Sequence, residues 1–401
     1  MDSLRGAEIT MSHQVESEKK KPIRVLRIIA RMNLGGPAMQ ITGLYREMDT
    51  TIFETKIICG YCESNEIDFV DTQASDVPVV RINGLGRSVN LFRDVTSLLH
   101  IINEIRKFRP TIVHTHTAKA GVLGRVASLL AGQKIIRVHT FHGHLLYGYF
   151  KGWKLKLVVY VEKLLSRVTD HLVAVGSNVR GDLLTIGIGA SSRFSVIRPG
   201  VIPISRIDKV VARRNLKLNN QAFILSFIGR LENIKRIDRL LEALAIAKDQ
   251  LGDYLLLIAG DGQERSRLES MSRELGVNAV FLGWQDDLVN IISASDVSIH
   301  TSDNEGIPVS LIQSSFCAVP SISTNVGSVS DIVIHNETGI LCESTAVSVA
   351  SAIISMKIND ARRIEMGKRA KQQAEQYFTL SKLVQSHERL YKSLSNGDQS
   401  N

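Results

Sequence analysis

The sequence predicts an α/β protein of two consecutive, doubly wound parallel-sheet domains facing across a cleft. Three observations carry the prediction. Short apolar strand runs alternate with amphipathic helical stretches. The alternation stops at a segment punctuated by proline and glycine near the middle, then restarts. The length, 401 residues, exceeds one ordinary core and suits two of roughly 150–200 residues each.

In the first half, strands are predicted at Arg24–Ala30, Phe53–Gly60, Thr111–Thr115, Lys134–Thr140 and Asp170–Val175. Helical patterns at Pro37–Met48, Asn90–Lys107 and Phe150–Arg167 lie between them. Strands separated by helical stretches imply a parallel sheet. The segment Ile197–Asp208, with Pro199, Gly200 and Pro203, reads as a linker. The second half repeats the pattern with strands at Phe223–Ile228, Tyr254–Ala259, Ala279–Leu282, Asp296–His300 and Val319–Ser323. The expected organisation is an N-terminal arm over 1–22, a first domain over 23–200 and a second over 201–380. A C-terminal helix and tail follow over 381–401, with a crossing back to the first domain as one option. In such sheets ligands sit at the carboxyl ends of the strands, in the cleft between the domains.

Hydrophobic residues make up 44% and charged residues 22% of the chain, the balance of a soluble globular protein. Its longest apolar stretches, such as Tyr254–Gly260, fall far short of the ~20 residues that span a bilayer. The polar first 22 residues end in Lys19-Lys20-Lys21-Pro22 and lack the apolar core of a secretory signal, so they read as a disordered arm, with Met11 as an alternative start. The expected location is cytoplasmic. The four cysteines include one Cys-x-x-Cys, Cys59 and Cys62, but offer no second pair for zinc and no disulfide framework.

The net charge of +9 is unevenly spread. Residues 1–200 hold 27 Lys and Arg against 17 Asp and Glu, and the remainder 22 against 23. Between Ile105 and Arg167 stand 12 basic residues and one acid, Glu162. This patch suits an anionic membrane surface or a phosphate-rich partner, with a solvated basic face as the plain alternative. No nucleic-acid partner is expected.

Chemistry is concentrated at strand ends. After Phe223–Ile228 comes Gly229-Arg230-Leu231-Glu232-Asn233-Ile234-Lys235-Arg236. Arg230 follows the strand's carboxyl end, and Lys235 falls at or just before the next helix. A helix start carries about half a positive charge and free N–H groups, so two added cations suit a diphosphate. An ordinary exposed basic turn is the alternative. After Asp296–His300 comes Asp303-Asn304-Glu305-Gly306-Ile307-Pro308, opening a helix that carries Gln313. Glu305 could accept bonds from sugar hydroxyls or merely stabilise the helix start. Met32-Asn33-Leu34-Gly35-Gly36-Pro37 after the first strand reads as a phosphate-approach loop, but matches neither a dinucleotide fingerprint nor a Walker loop. Histidines gather at His114-Thr115-His116 and His139-Thr140-Phe141-His142-Gly143-His144. Without an acidic partner or His-Glu-x-x-His they read as polar cleft groups or core histidines rather than zinc ligands. No Asp-x-Asp occurs in the chain, so the diphosphate charge is expected to be met by side chains, with no metal and no cofactor.

Together these segments resemble the retaining GT-B glycosyltransferases of family 4, of the bacterial surface-polysaccharide type. The likeness runs from about Ile23 to Leu390. It is most specific at Gly229-Arg230-Leu231, Lys235-Arg236, Ala259-Gly260-Asp261-Gly262, Phe281-Leu282-Gly283-Trp284, Glu305-Gly306-Ile307-Pro308, and Asn325-Val326-Gly327 through Asn336-Glu337-Thr338-Gly339. The resemblance implies two Rossmann-like domains in which Arg230 and Lys235 bind the donor diphosphate and Glu305 contacts the transferred sugar. It places Gly35 and Gly36 near the phosphate, His142 near the sugar, and the backbone around Gly283 and Trp284 along the base, with Gly306, Ile307 and Pro308 in the donor site. The family's second Glu of a Glu-x₇-Glu motif, the ribose ligand, is Gln313 here, which removes a charge. Transfer is expected to proceed by leaving-group stabilisation, a phosphate oxygen taking the acceptor proton on the same face; one oriented donor such as Arg230 would supply about 3–4 kcal/mol. The expected partners are a nucleotide sugar, by family habit a UDP-sugar, and a saccharide or lipid-linked saccharide acceptor.

The acceptor side is less specified. His144–Leu157 mixes aromatics with lysines, the composition of an interfacial membrane contact. A helix burying Leu157, Val161 and Leu164 in its own core accounts for the pattern equally well. A UDP-sugar 2-epimerase of the same fold and a non-catalytic sugar-nucleotide-binding protein are the alternatives.

Overall fold

The computed structural model describes residues 21–64, 66–86, 88, 90–143 and 152–397. Most of the expected N-terminal arm and the stretch 144–151 therefore lie outside the described residues.

The first sheet is built from β1 (Ile23–Arg31), α1 (Gly36–Glu47), β2 (Phe53–Gly60), α2 (Phe69–Gln73), β3 (Val79–Arg81), α3 (Leu91–Phe108), β4 (Ile112–His116), α4 (Ala118–Leu130), β5 (Ile136–Phe141), α5 (Gly152–Arg167), β6 (His171–Ala174), α6 (Ser177–Thr185) and β7 (Phe194–Val196). Its seven strands run in the order β3-β2-β1-β4-β5-β6-β7, every pair parallel. The second comprises α7 (Lys209–Asn215), β8 (Phe223–Ile228), α8 (Ile237–Leu251), β9 (Tyr254–Ala259), α9 (Arg265–Glu274), β10 (Ala279–Gly283), α10 (Val289–Ala294), β11 (Val297–His300), α11 (Val309–Phe316), β12 (Ser321–Thr324), β13 (Gly339–Cys342), α12 (Ala346–Ile358) and α13 (Asp360–Tyr377). Its six strands run β10-β9-β8-β11-β12-β13, again all parallel. Helices cover both faces of each sheet, so the central strands are largely buried, and every residue of β4 and β8 is.

Chain direction sorts the helices of the first sheet. Strands β1 to β3 proceed toward one edge and β3 to β6 toward the other. Right-handed crossovers then put α1 and α2 on one face and α3, α4 and α5 on the opposite face. The packing follows suit: Leu26, Ile28 and Val113 join Ile101, Ile105 and Ala127 in one core, while Val25 and Ile112 join Leu44 and Met48 of the α1 side in another. Glu162 of α5 and Arg125 of α4 form a buried pair at 2.8 Å, holding these helices side by side.

The final helix, α14 (Leu380–Gly397), returns to the first sheet. Leu380, Leu383, Val384, Leu390 and Tyr391 complete the core that contains Val25, Phe53 and Ile112. Arg27 of β1, fully buried, donates to the Tyr391 hydroxyl at 2.9 Å. Where the chain passes between the sheets, Val201 N donates to Phe378 O at 3.0 Å and Leu380 N to Val201 O at 2.8 Å. The two passages are thus bonded to each other.

One expectation for α5 is overturned. Leu157 and Leu164 do not enter a core: they are 52% and 42% exposed, beside Trp153 at 70% and Tyr160 at 60%. The helix instead buries Glu162, Leu165 and Ser166. Positions 153, 157, 160 and 164 share a helical stripe, so the hydrophobic period is real but faces outward. Among the described residues, no helix is long and apolar enough to cross a membrane.

Candidate active site

The loops leaving β8 and β11 are stitched into one unit. After β8 the chain makes a single 3₁₀ turn, Asn233–Lys235, and Arg236 takes a left-handed conformation, φ 50°, before α8 begins. Asp303 N donates to Ile234 O at 2.9 Å, and the Thr301 hydroxyl donates to Arg236 O at 2.8 Å. The buried Arg239 donates to Thr301 O at 2.7 Å and to Asp303 Oδ1 at 2.6 Å. Arg236 grips the other oxygen of Asp303 at 3.0 Å. These bonds fix Lys235 and Glu305, seventy positions apart in the chain, against each other: Lys235 Nζ donates to Glu305 Oε1 at 2.5 Å. Ser302 Oγ donates to the same oxygen at 2.6 Å.

Burial alone would push the Glu305 carboxyl up. The charge of Lys235 and its neighbour His300, with the Lys235 and Ser302 hydrogen bonds, outweighs that and holds it below the usual carboxylate value of 4.5. Glu305 is therefore ionised at neutral pH. Its backbone is fixed from behind by Gly327, at φ 56°, where a Cβ would stand 1.7 Å from Glu305 O. Only glycine fits that approach.

The other expected residues are distributed around this pair. Arg230 is 41% exposed in its side chain and pairs with its neighbour Glu232 at 2.6 Å rather than with Glu305. Gly306 abuts the first domain so closely that a Cβ would lie 2.4 Å from His142 O. Gly36 faces Val309, at the start of α11, with 3.2 Å between its would-be Cβ and Val309 Cγ2. Gly35 caps the start of α1. Pro308 caps α11, which begins only at Val309, so Gln313 sits about one turn into the helix and is half-buried. Ile307 is 7% exposed and packs with Leu311 and Ile312. Gly283 and Trp284 lie at the end of β10, two strands from β8. The Trp284 indole donates to Asp286 at 2.9 Å, and Gln73 of the first domain reaches the same carboxylate at 3.2 Å.

On the first-domain side, His142 Nε2 and His116 Nδ1 share a hydrogen bond of 2.9 Å. Burial pushes the His142 pKa down to about 4, so the ring is neutral. The start of α6 reaches across as well: Ser177 N donates to Asp331 at 2.7 Å, Val179 N to Ser328 Oγ at 3.1 Å and Asn178 to Gly327 O at 2.8 Å. The segment that backs Glu305 is thereby held by both domains.

Sequence reasoning missed Ser302, Arg239 and the Asp303 clamp, whose partners lie far away in the chain. His300 offered a signal, a histidine closing a buried strand. Its Nε2 bonds Ser310 Oγ at 3.0 Å, its Nδ1 has no partner, and burial pushes its pKa down to about 4. The arrangement gathers cations at the carboxyl ends of parallel strands, with helix starts behind them, the chemistry that suits an anion.

Residues 34–203 match the family model "Glycosyltransferase Family 4" and residues 208–373 match "Glycosyl transferases group 1". The chain belongs to the GT-B glycosyltransferases of the family 4 type. This glycosyltransferase is 27% identical to the UDP-Gal:alpha-D-GlcNAc-diphosphoundecaprenol alpha-1,3-galactosyltransferase of Escherichia coli over 355 residues, 84% of this chain and 89% of that protein. It is 24% identical to the capsular polysaccharide biosynthesis glycosyltransferase CapM of Staphylococcus aureus, over 81% of this chain and 92% of that one. Among solved structures, Anabaena HepE in complex with UDP and glucose superposes with a TM-score of 0.77 at 18% identity, covering 92% of this chain and all 100% of that one. Sucrose-phosphate synthase of Thermosynechococcus elongatus superposes at 0.79 with 20% identity, over 93% and 100% of the two chains.

Proposed function

We propose that the enzyme transfers a hexosyl or N-acetylhexosaminyl group from a UDP-sugar to a saccharide or polyprenyl-diphosphate-linked acceptor, with retention and without a metal ion. The observation that carries this reading is the Lys235–Glu305–Ser302 cluster, which joins the ends of β8 and β11 and whose next residue, Gly306, abuts His142 O. Arg230 and Lys235 take the donor diphosphate, Glu305 accepts bonds from sugar hydroxyls, Gln313 meets the ribose, and Trp284 with Gly283 borders the base. Gly35 and Gly36 approach the phosphate. The bond from the anomeric carbon to the diphosphate oxygen breaks with its electron pair going to that oxygen, where the cations meet the developing charge. The acceptor oxygen bonds the same carbon on the same face and passes its proton to the departing diphosphate. The galactosyltransferase activity for which the E. coli relative is named, and the UDP and glucose bound by HepE, support this choice of substrates.

Incubation with UDP-glucose, UDP-galactose and UDP-N-acetylglucosamine, with and without a diphosphoundecaprenol-linked saccharide, tests the reading. Acceptor-dependent UDP release is expected. Conversion of the sugar without acceptor would mean epimerisation, and binding without turnover a non-catalytic protein; either result removes the transferase assignment.

The acceptor's lipid brings the enzyme to a membrane surface, and the outer face of α3, α4 and α5 suits that contact. Leu91, Phe92 and Leu99 of α3 are 77%, 85% and 60% exposed, and Leu129 and Leu130 of α4 45% and 55%, in the same helix layer as the Trp153–Leu164 stripe of α5. Exposed Arg93, Arg106, Lys107, Lys154 and Lys156 intersperse them, and Lys154 lies 5.9 Å from the Trp153 ring centre. Apolar anchors among cations are the chemistry of peripheral attachment to anionic lipid. The enzyme is expected to sediment with phosphatidylglycerol vesicles at low salt, progressively less as salt rises, and less still after Trp153→Ala. Absence of sedimentation at 0.1 M salt would remove the membrane part of the proposal.

A further inference from the structure

Behind His142 runs a chain of polar side chains that begins on the C-terminal helix. Arg27 Nη1 donates to the Tyr391 hydroxyl oxygen at 2.9 Å. The hydroxyl's own proton therefore goes to its other partner, His114 Nδ1, at 2.6 Å. With Nδ1 accepting, a neutral His114 carries its proton on Nε2, which donates to Thr140 Oγ1 at 2.7 Å. The His114 ring stacks on His116, centroids 4.3 Å apart and planes 26° from parallel. His116 in turn shares the 2.9 Å bond from its Nδ1 to His142 Nε2. His116 itself is 2% exposed.

The direction of that last bond follows from what surrounds it. Burial, with the neighbouring histidines and Arg27 adding to it, keeps His114 and His116 well below 6.5, so both rings are neutral. Two neutral imidazoles share a hydrogen bond only when one donates and the other accepts. The remaining nitrogen of His116, Nε2, is buried and has no partner among the described residues. An orphaned buried N–H is the rarer and costlier state than a bare lone pair. The His116 proton therefore sits on Nδ1 and is donated, His142 Nε2 accepts it, and the proton of His142 is left on Nδ1.

We propose that His116 is a positioning residue that holds His142 in its Nδ1–H form, so that His142 presents a donor to an oxygen of the bound sugar, with Tyr391 of α14 anchoring the series through His114. The sugar's place beside His142 rests on the donor reading above; the tautomer does not. The series makes α14 a supporting part of the site through Tyr391.

Two measurements decide the matter. In the ligand-free enzyme labelled with ¹⁵N-histidine, long-range ¹H–¹⁵N spectra report which nitrogen of each ring is protonated. The His142 signals, assigned by their loss in His142→Asn, are expected to show a protonated Nδ1 and a bare Nε2. A protonated Nε2 in the wild type overturns the proposal without recourse to any variant. Second, calorimetry compares UDP with the best-binding of UDP-glucose, UDP-galactose and UDP-N-acetylglucosamine. His116→Phe keeps an aromatic ring, slightly larger than imidazole, and removes the donor. It is expected to bind UDP as the wild type does and the UDP-sugar roughly 10-fold more weakly, the loss of one oriented bond. His116→Asn, whose amide nitrogen can take the place of Nδ1, is expected to restore most of that difference, which a purely structural role would not explain. Unchanged UDP-sugar affinity in a folded His116→Phe overturns the positioning role. If wild-type enzyme fails to bind UDP at all, the donor reading falls and the spectra alone decide the tautomer.

Discussion

Lys235→Met is expected to lower transfer on the order of 10²–10³-fold, the loss typical of one preorganised charge at a developing anion. The same substitution costs stability, because the two side chains of the pair are only 16% and 11% exposed. Deleting the cation leaves Glu305 with Ser302 and His300 as its support. Breaking a buried pair from one side costs about 3–5 kcal/mol, an upper bound here because the carboxyl can take up a proton instead. A lower urea midpoint with a raised Glu305 pKa is therefore expected. The double variant Lys235→Met/Glu305→Gln separates the two roles: it should regain stability by removing the orphaned charge, and regain no activity. Arg230→Ala supplies the contrast. Its side chain is 41% exposed and among the described residues pairs with Glu232, so activity should fall while the urea midpoint stays. Wild-type turnover in folded Lys235→Met would sink the diphosphate assignment.

Acid should unfold this enzyme well before its carboxylates titrate. Burial pushes His142 and His300 to about 4 and His387 to about 3, with His114, His116 and His139 well below 6.5 as well. Below 6.5 the unfolded chain binds protons on these rings that the folded chain refuses. Stability therefore rises with pH and is lost as pH falls from 6.5 toward 4, at about 1.4 kcal/mol per pH unit for each fully refused proton. Several such groups together exceed a typical total stability of about 5–15 kcal/mol within two pH units. Glu305 works in the same sense but lower: its depressed pKa gives stability that is present above 4.5 and lost beneath it. Urea midpoints should begin to fall between pH 7.5 and 6.5 and fall steeply by pH 5.5. A level midpoint down to pH 5 would show that the rings are not held neutral.

The sequence made the central strands legible because burial on both faces leaves no ambiguity of period. The strands Phe53–Gly60, Phe223–Ile228 and Tyr254–Ala259 have their expected bounds. Three edge strands, β3, β7 and β13, went unread because each has only three or four residues; so short a run shows no alternation. In α5 the stripe was visible, but the side it faced depended on the neighbours of the helix. Arg230, Lys235 and Glu305 stood out as charged residues at strand ends. Their pairing did not: Lys235 meets Glu305 only because Asp303, Thr301 and Arg239 tie two distant loops together, and Gly327 matters only because it meets Glu305 O. Tyr391 gave no signal at all, being one aromatic on an ordinary amphipathic helix whose destination is a tertiary fact.

The paired passages at Val201 and Thr379 have a consequence for dissection of the chain. The two family matches end at residues 203 and 373, and both omit α14, whose Leu383, Leu390 and Tyr391 close one face of the first core. Regions recognisable as separate by homology are therefore not separable as polypeptides. An excised N-terminal half would carry Arg27 without its hydroxyl partner and a greasy trough where the last helix belongs, whereas a half-molecule supplied with residues 380–397 in trans would have every surface that the sheet requires.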